Sequence, residues 1–166
     1  MRRVIVTLIM LCALTLANAQ ISTNISGLEI GRTELADGVR LLKSLDDDSF
    51  YCESNSQILV SAQNFLFAGV NWSNVIAFFE NGVLVKVQMD TDNLLPEQNI
   101  DIFEKLGRAY ESKYKTFLVH TLSDSAYNAF SYKDNYVSVL LSYDKANKTT
   151  GLSYSYIYKP QVGEGI

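Results

Sequence analysis

The sequence predicts an α+β domain in which an antiparallel sheet of about six strands carries two helices on one face. Three observations predict it. Two stretches, one around Leu35 to Leu45 and one around Ile100 to Tyr114, space apolar residues at helical intervals. Two β-branched, aromatic-rich runs flank Asn81-Gly82, a pair that tolerates the positive φ values of a type I′ turn. Three more β-forming runs lie near the C-terminus, separated by polar, turn-forming residues.

Ahead of the first element, Met1-Arg2-Arg3 precedes an apolar run from Val4 to Leu16 that closes on Ala17-Asn18-Ala19. A positive start, a short apolar middle and small residues before Gln20 read as a cleaved signal peptide over residues 1–19. The run is shorter than the roughly 20 apolar residues that span a bilayer. No stable membrane span is therefore expected after cleavage, and the mature chain is expected outside the cytoplasm, periplasmic or extracellular. Cys12 leaves with the leader, so Cys52 is alone and no disulfide within the chain is expected. Residues 20–166 suit a single domain that stands on its own core.

Ile21 to Gly31 reads as a lead-in. Thr33 can cap the first helix, with Glu34 and Asp37 in its first turn, where the helix dipole favours negative charge. Leu35, Val39, Leu42 and Leu45 form its apolar face, and Gly38 allows it to approach a sheet closely. Asp46-Asp47-Asp48-Ser49 ends it. Gln57–Ser61 and Phe65–Ala68 read as two short strands. The hairpin then runs Asn74–Glu80, Asn81-Gly82, Val83–Met89, with Val83, Val85, Val87 and Met89 expected on one face.

Pro96 suits the first turn of the second helix. Its buried stripe is expected to be Ile100, Phe103, Leu106, Tyr110 and Tyr114, with Lys113 and Lys115 at the favourable C-terminal end. Phe117 to Val119 reads as a short extended link. Strands are expected near Tyr127–Tyr132, Asn135–Tyr143 and Leu152–Tyr158, and Gln161–Ile166 as a tail. The order, helix then about three strands, twice, predicts a tandem α-β-β-β duplication with units of about 28–90 and 93–160. Trp72-Ser73-Asn74-Val75-Ile76 then falls opposite Tyr132-Lys133-Asp134-Asn135-Tyr136.

Gly27-Leu28-Glu29-Ile30-Gly31-Arg32-Thr33, leading into Val39 to Leu42, and the later Trp72 to Leu84 hairpin segment carry a family likeness. Over residues about 27–90 the chain resembles small exported bacterial domains of the beta-lactamase-inhibitory-protein-like type. The resemblance implies helices laid on an antiparallel sheet, sometimes in tandem copies. It also implies action by binding other proteins, as inhibitors or as envelope-assembly components.

Formal charge is −4, and losing Arg2 and Arg3 makes the chain more acidic. Acids and bases are interspersed without a basic stripe, which argues against nucleic acid and anionic lipid surfaces as partners. No catalytic residue is assigned. A Ser-His-Asp triad would need His120, the sole histidine, but Ser123 and Asp124 follow it directly and the three read as one polar loop. Nothing around Cys52 marks an activated thiolate for a pair with His120. One histidine and one cysteine do not make a zinc site, and Asp46-Asp47-Asp48 lacks the ordered loop that calcium needs. No metal and no cofactor is assigned.

The tyrosines are the unusual feature, seven of ten lying between Tyr127 and Tyr158. Tyrosine and tryptophan are enriched in binding patches. Trp72, Tyr154, Tyr156 and Tyr158 are thus the candidate binding residues, for a protein or carbohydrate partner, and a location on the helix-free face would make them a patch. The function expected is a secreted, non-catalytic binding domain. The alternatives are a structural envelope component and a small carboxylate-dependent hydrolase.

Overall fold

A computed structural model of the chain describes residues 20–46, 50–54 and 57–157. The expectations for the leader (1–19), Cys12, Asp47-Asp48-Ser49, Tyr158 and the tail lie outside the described residues, as does the side chain of Cys52. The architecture is α+β. Strands β1 (Asn24–Ile25) and β2 (Leu28–Glu29) form a small hairpin, followed by helix α1 (Leu35–Leu45). Next come β3 (Phe50–Ser54), β4 (Gln57–Phe67), β5 (Val70–Glu80) and β6 (Val83–Asp90). Helix α2 (Pro96–Tyr114) leads through one 3-10 turn to β7 (Leu118–Ser123), β8 (Tyr127–Lys133), β9 (Val137–Asp144) and β10 (Thr149–Tyr156).

The main sheet is antiparallel and has eight strands in the order β3-β4-β5-β6-β10-β9-β8-β7, where about six were expected. Each helix is followed by a four-stranded meander, and the last strands of the two meanders pair at the centre, Tyr154 opposite Val87. Sequential hairpins make this arrangement reachable through local contacts. Two of the extra strands come from segments read differently in the sequence. β3 was not anticipated, and β7 occupies what read as a link and a polar loop. Conversely, β4 is one continuous strand where two short ones were expected. Asn64, with φ of 57°, breaks its side-chain alternation without ending it, so Ala62 and Phe65 are both buried.

Both helices cover the same face. A buried row runs across the sheet through cross-strand neighbours Val60, Ala77, Val87, Tyr154, Val139 and Tyr132. Helix α1 lies over β4 and β6, and α2 over β9 and β10. A Cβ on Gly38 would sit 2.4 Å from Phe79 Cζ, so the expected close approach of α1 is real and requires glycine there. Thr33 does not cap α1: its hydroxyl accepts from Glu29 N at 2.7 Å, and Glu34 is the N-cap. The lead-in is more than a tail. Ile21, Ile25, Leu28 and Ile30 are all core residues.

The 81–82 hairpin forms as expected, with φ of 51° at Asn81 and 79° at Gly82. Its second arm differs from the expected alternation. Phe79 pairs with Leu84 and Phe78 with Lys86, so Val85 is an extra residue in a β-bulge. Leu84, Val87 and Met89 therefore face the core while Val83 and Val85 do not. In α2 the stripe holds for Phe103, Leu106, Tyr110 and Tyr114, but Ile100 is 41% exposed and Asn99 takes the inward place. Asn99 belongs to a buried polar knot. Thr91 Oγ1 meets Asn99 Oδ1, Thr150 N donates to Thr91 Oγ1 at 3.1 Å, and Thr150 Oγ1 donates to Asn99 O at 2.6 Å. The knot ties the end of the first meander to the start of α2 and of β10.

The correspondence expected between residues 72–76 and 132–136 does not hold in place. Trp72–Ile76 lies inside β5, whereas Tyr132–Tyr136 runs off the end of β8 into a turn.

Candidate functional site

Among the described residues the other face of the sheet carries no helix. Its cross-strand neighbours run Leu59, Phe78, Lys86, Ser155 and Ser138 in one row, and Ile76, Gln88, Ser153 and Leu140 in the next. Small serines keep this face low, and the Val85 bulge shapes it. A bulge projects two successive residues where a regular strand would project one. Val85 and Lys86 accordingly both line a cleft of about 670 Å³, together with Val83, Phe78 and Tyr156. Gln57, Glu80, Asn81 and Ser155 supply polar groups around it, and the Gln57 amide meets the Glu80 carboxylate. Lys86 Nζ sits 4.9 Å from the centre of the Phe78 ring. Among the described residues Lys86 makes no ion pair. Tyr156 stands over Gly31, where a Cβ would be 3.1 Å from its ring. A smaller depression of about 300 Å³, also lined by Lys86, continues past Gln88, Ser153 and Leu140.

The aromatic candidates from the sequence do not assemble on this face. Trp72 is 0% and Tyr154 2% exposed. Leu152 and Tyr154 share the face that α2 covers. Trp72 is satisfied inside, its indole N–H donating to Phe67 O at 3.1 Å. Tyr156, 39% exposed, is the one member of the set that lines the cleft. Tyr158 lies outside the described residues.

The remaining tyrosines build the core under α2. The hydroxyls of Tyr110 and Tyr154 hydrogen-bond to each other. Burial pushes both well above the ordinary tyrosine value of 10.0. Tyr132 is also raised, first by burial and then by the charge of Glu111. Its hydroxyl is buried without a hydrogen-bond partner among the described residues.

His120 and Ser123 sit on the exposed edge strand β7, not in a loop. Ser123 Oγ donates to Asn128 Oδ1 at 2.9 Å. Asp124 Oδ1 accepts from Ala126 N and Tyr127 N, both at 2.7 Å, and these backbone bonds hold its carboxyl below the usual range. The same turn chemistry, with Asn147 as principal donor, lowers Asp144. Asp46 Oδ2 accepts from Gln63 N at 2.9 Å, tying the end of α1 to β4. Asn74 bridges Asp90 and Asp92 through its amide, 2.9 Å to each. Among the described residues no group of three or more histidines, cysteines and carboxylates could hold a metal, and no helix is long and apolar enough to cross a membrane.

No protein family, curated protein or solved structure matches this chain. The class that the fold defines is an α+β domain with one covered and one open sheet face. The cleft residues Phe78, Val83, Val85 and Lys86 escape sequence reading because nothing in Val83-Leu84-Val85-Lys86 announces a bulge. Only the pairing of β5 with β6 reveals which side chains turn outward.

Proposed function

We propose that this chain is an exported, non-catalytic binding domain that takes a protein partner on the open face of its sheet. The observation that carries the reading is the cleft on that face. Half-buried Phe78, Val83 and Val85 with Tyr156 offer an apolar slot, and Lys86 places a cation at its wall. A partner segment that inserts an apolar side chain and sets a carboxylate against Lys86 matches both features. The β-branched walls favour a protein side chain over a sugar, which takes flat aromatic platforms. The likeness of residues 27–90 to exported beta-lactamase-inhibitory-protein-like domains supports the same reading.

Export rests on residues 1–19. It is supported by Ile21, which is buried and donates its amide to Asp134 Oδ2 at 2.9 Å, so the fold takes hold just past the expected cleavage site. Tandem duplication is part of the proposal too. Its support is the repeated order of one helix and four strands, with β6 and β10 as equivalent last strands meeting at the centre.

A photoreactive residue in place of Val85, presented to the envelope fraction of the producing cells, tests the binding face. One protein adduct that disappears on Lys86→Glu or Tyr156→Ala is expected. A control probe at Ala36, exposed on α1, should not form it. Adducts to glycan alone, or equal adducts from the two probe positions, would overturn the reading.

A further inference from the structure

A second pocket, on the helix side and independent of the cleft, has a different chemistry. It holds about 280 Å³ between the start of the chain, the last turns of α2 and β10, and its lining includes Ser22, Phe67, Tyr110, Lys113, Tyr114 and Tyr154. At about 30 Å³ per water in the liquid, that is room for about nine waters, or a ligand of about ten non-hydrogen atoms.

Its polar groups are short of acceptors. Each tyrosine hydroxyl brings one proton. The Tyr110–Tyr154 hydrogen bond uses one of that pair's two. Tyr114 Oη accepts from Ser22 N at 3.3 Å and donates to nothing among the described residues. Two hydroxyl protons are therefore left without an acceptor among the described residues, in the wall of a pocket whose rim, Ser22, Asn24, Ala68, Ala109 and Lys113, is exposed. Lys113 adds a cation at the same place, 5.0 Å from the Tyr114 ring centre, with no ion pair among the described residues. Phe67, Ala68 and Ala109 form the apolar part of the lining, and Ser22 and Asn24 lie at its rim. Phe67 meets Tyr154 edge-on at 5.8 Å, and Tyr110 meets Tyr114 at 5.5 Å.

We infer that this pocket binds a small carboxylate with a flat apolar body, its oxygens taking the spare hydroxyl protons and the Lys113 ammonium. A carboxylate is acceptor-only and matches the two spare hydroxyl protons and the Lys113 ammonium. An amine would meet the like charge of Lys113. A neutral alcohol would satisfy part of the site and leave Lys113 unused.

The protein carries its own reporter. Trp72 is the sole tryptophan, and its indole is hydrogen-bonded to Phe67 O at the pocket wall. Residues 20–166 would be titrated with phenylacetate, 2-phenylethanol and 2-phenylethylamine, reading Trp72 fluorescence and the Ser22 amide resonance in parallel. Phenylacetate should shift both signals saturably, and the alcohol should bind about tenfold more weakly, having lost the charge-assisted bond. Lys113→Met, at an exposed position, should weaken phenylacetate about tenfold. Tyr114→Phe keeps the ring in place and should weaken it several-fold while moving the Ser22 amide. Equal affinity for the three probes, phenylacetate binding unchanged by Lys113→Met, or no saturable shift in either signal up to about 10 mM would overturn the assignment.

Discussion

The two halves seat their helices differently. In the first, Gly38 of α1 lies so close to the sheet that an added Cβ would fall 2.4 Å from the Phe79 ring. In the second, the corresponding distance from Gly107 of α2 to Phe130 is 3.2 Å. The short α1 depends on intimate contact with a hydrocarbon core of Val60, Ala77 and Phe79. The longer α2 rests on a looser layer rich in tyrosine, with Tyr110, Tyr114, Tyr132, Tyr143 and Tyr154 all buried. Close packing stabilises the first half; the second spends part of its interior on hydroxyls that must find partners. Each half is therefore vulnerable in its own way. A methyl group should break the first, and a lost proton or polar partner should break the second.

The largest effect is expected from alkali, which acts on the second half. Tyr110 and Tyr154 are raised above 10.0 mainly by burial, and neutral tyrosine is the protonated form. Above pH 10 the unfolded chain gives up protons that the folded one keeps. This stabilisation is therefore complete below pH 10 and lost as pH climbs beyond it. Phenolate absorbance followed together with circular dichroism should show these two tyrosines ionising only as the fold is lost, and Tyr154→Phe should make the loss shallower. Ionisation of both in a still-folded protein would break the comparison.

Gly38→Ala comes next. The clash is with a ring held inside the core, so a loss of about 2–3 kcal/mol is expected in urea unfolding, partly recovered by adding Phe79→Leu. Asn99→Ala should cost about 2 kcal/mol, because it removes the side-chain bonds to Thr91 Oγ1 and Leu94 O and leaves a gap in the interior. Gly107→Ala should have the smallest effect, within about 1 kcal/mol of zero, since better helix propensity offsets a contact that a small shift of Phe130 relieves. If the two glycine variants lost equal stability, the helices would be seated alike after all.

Much of the local structure was legible in the sequence. Asn81-Gly82 specifies its turn through backbone conformations that few other pairs adopt. Pro96 marks the first turn of α2, and the spacing of Phe103, Leu106, Tyr110 and Tyr114 names its inward face. Gly38 was readable as a point of close approach, although not its partner Phe79. Less of the site was legible. The tyrosine-rich third of the chain drew attention, but exposure depends on which face a helix covers, and that is a property of distant residues. Ile100 was misplaced for the same kind of reason, because Asn99 has buried partners at Thr91 and Thr150 that helical spacing alone does not display.

Local sequence pattern specifies the α+β class, the two helices, the central hairpin and the placement of most C-terminal strands. These follow from periodicity and turn chemistry, which act over a few residues. The tertiary structure decided the eight-strand order, the meeting of β6 with β10, the Val85 bulge, and the burial of Trp72 and Tyr154 beneath the helix layer. Each of these depends on pairing or packing between residues far apart in the chain. No local pattern encodes which of two sheet faces a helix will cover, because that choice belongs to the free energy of the whole core.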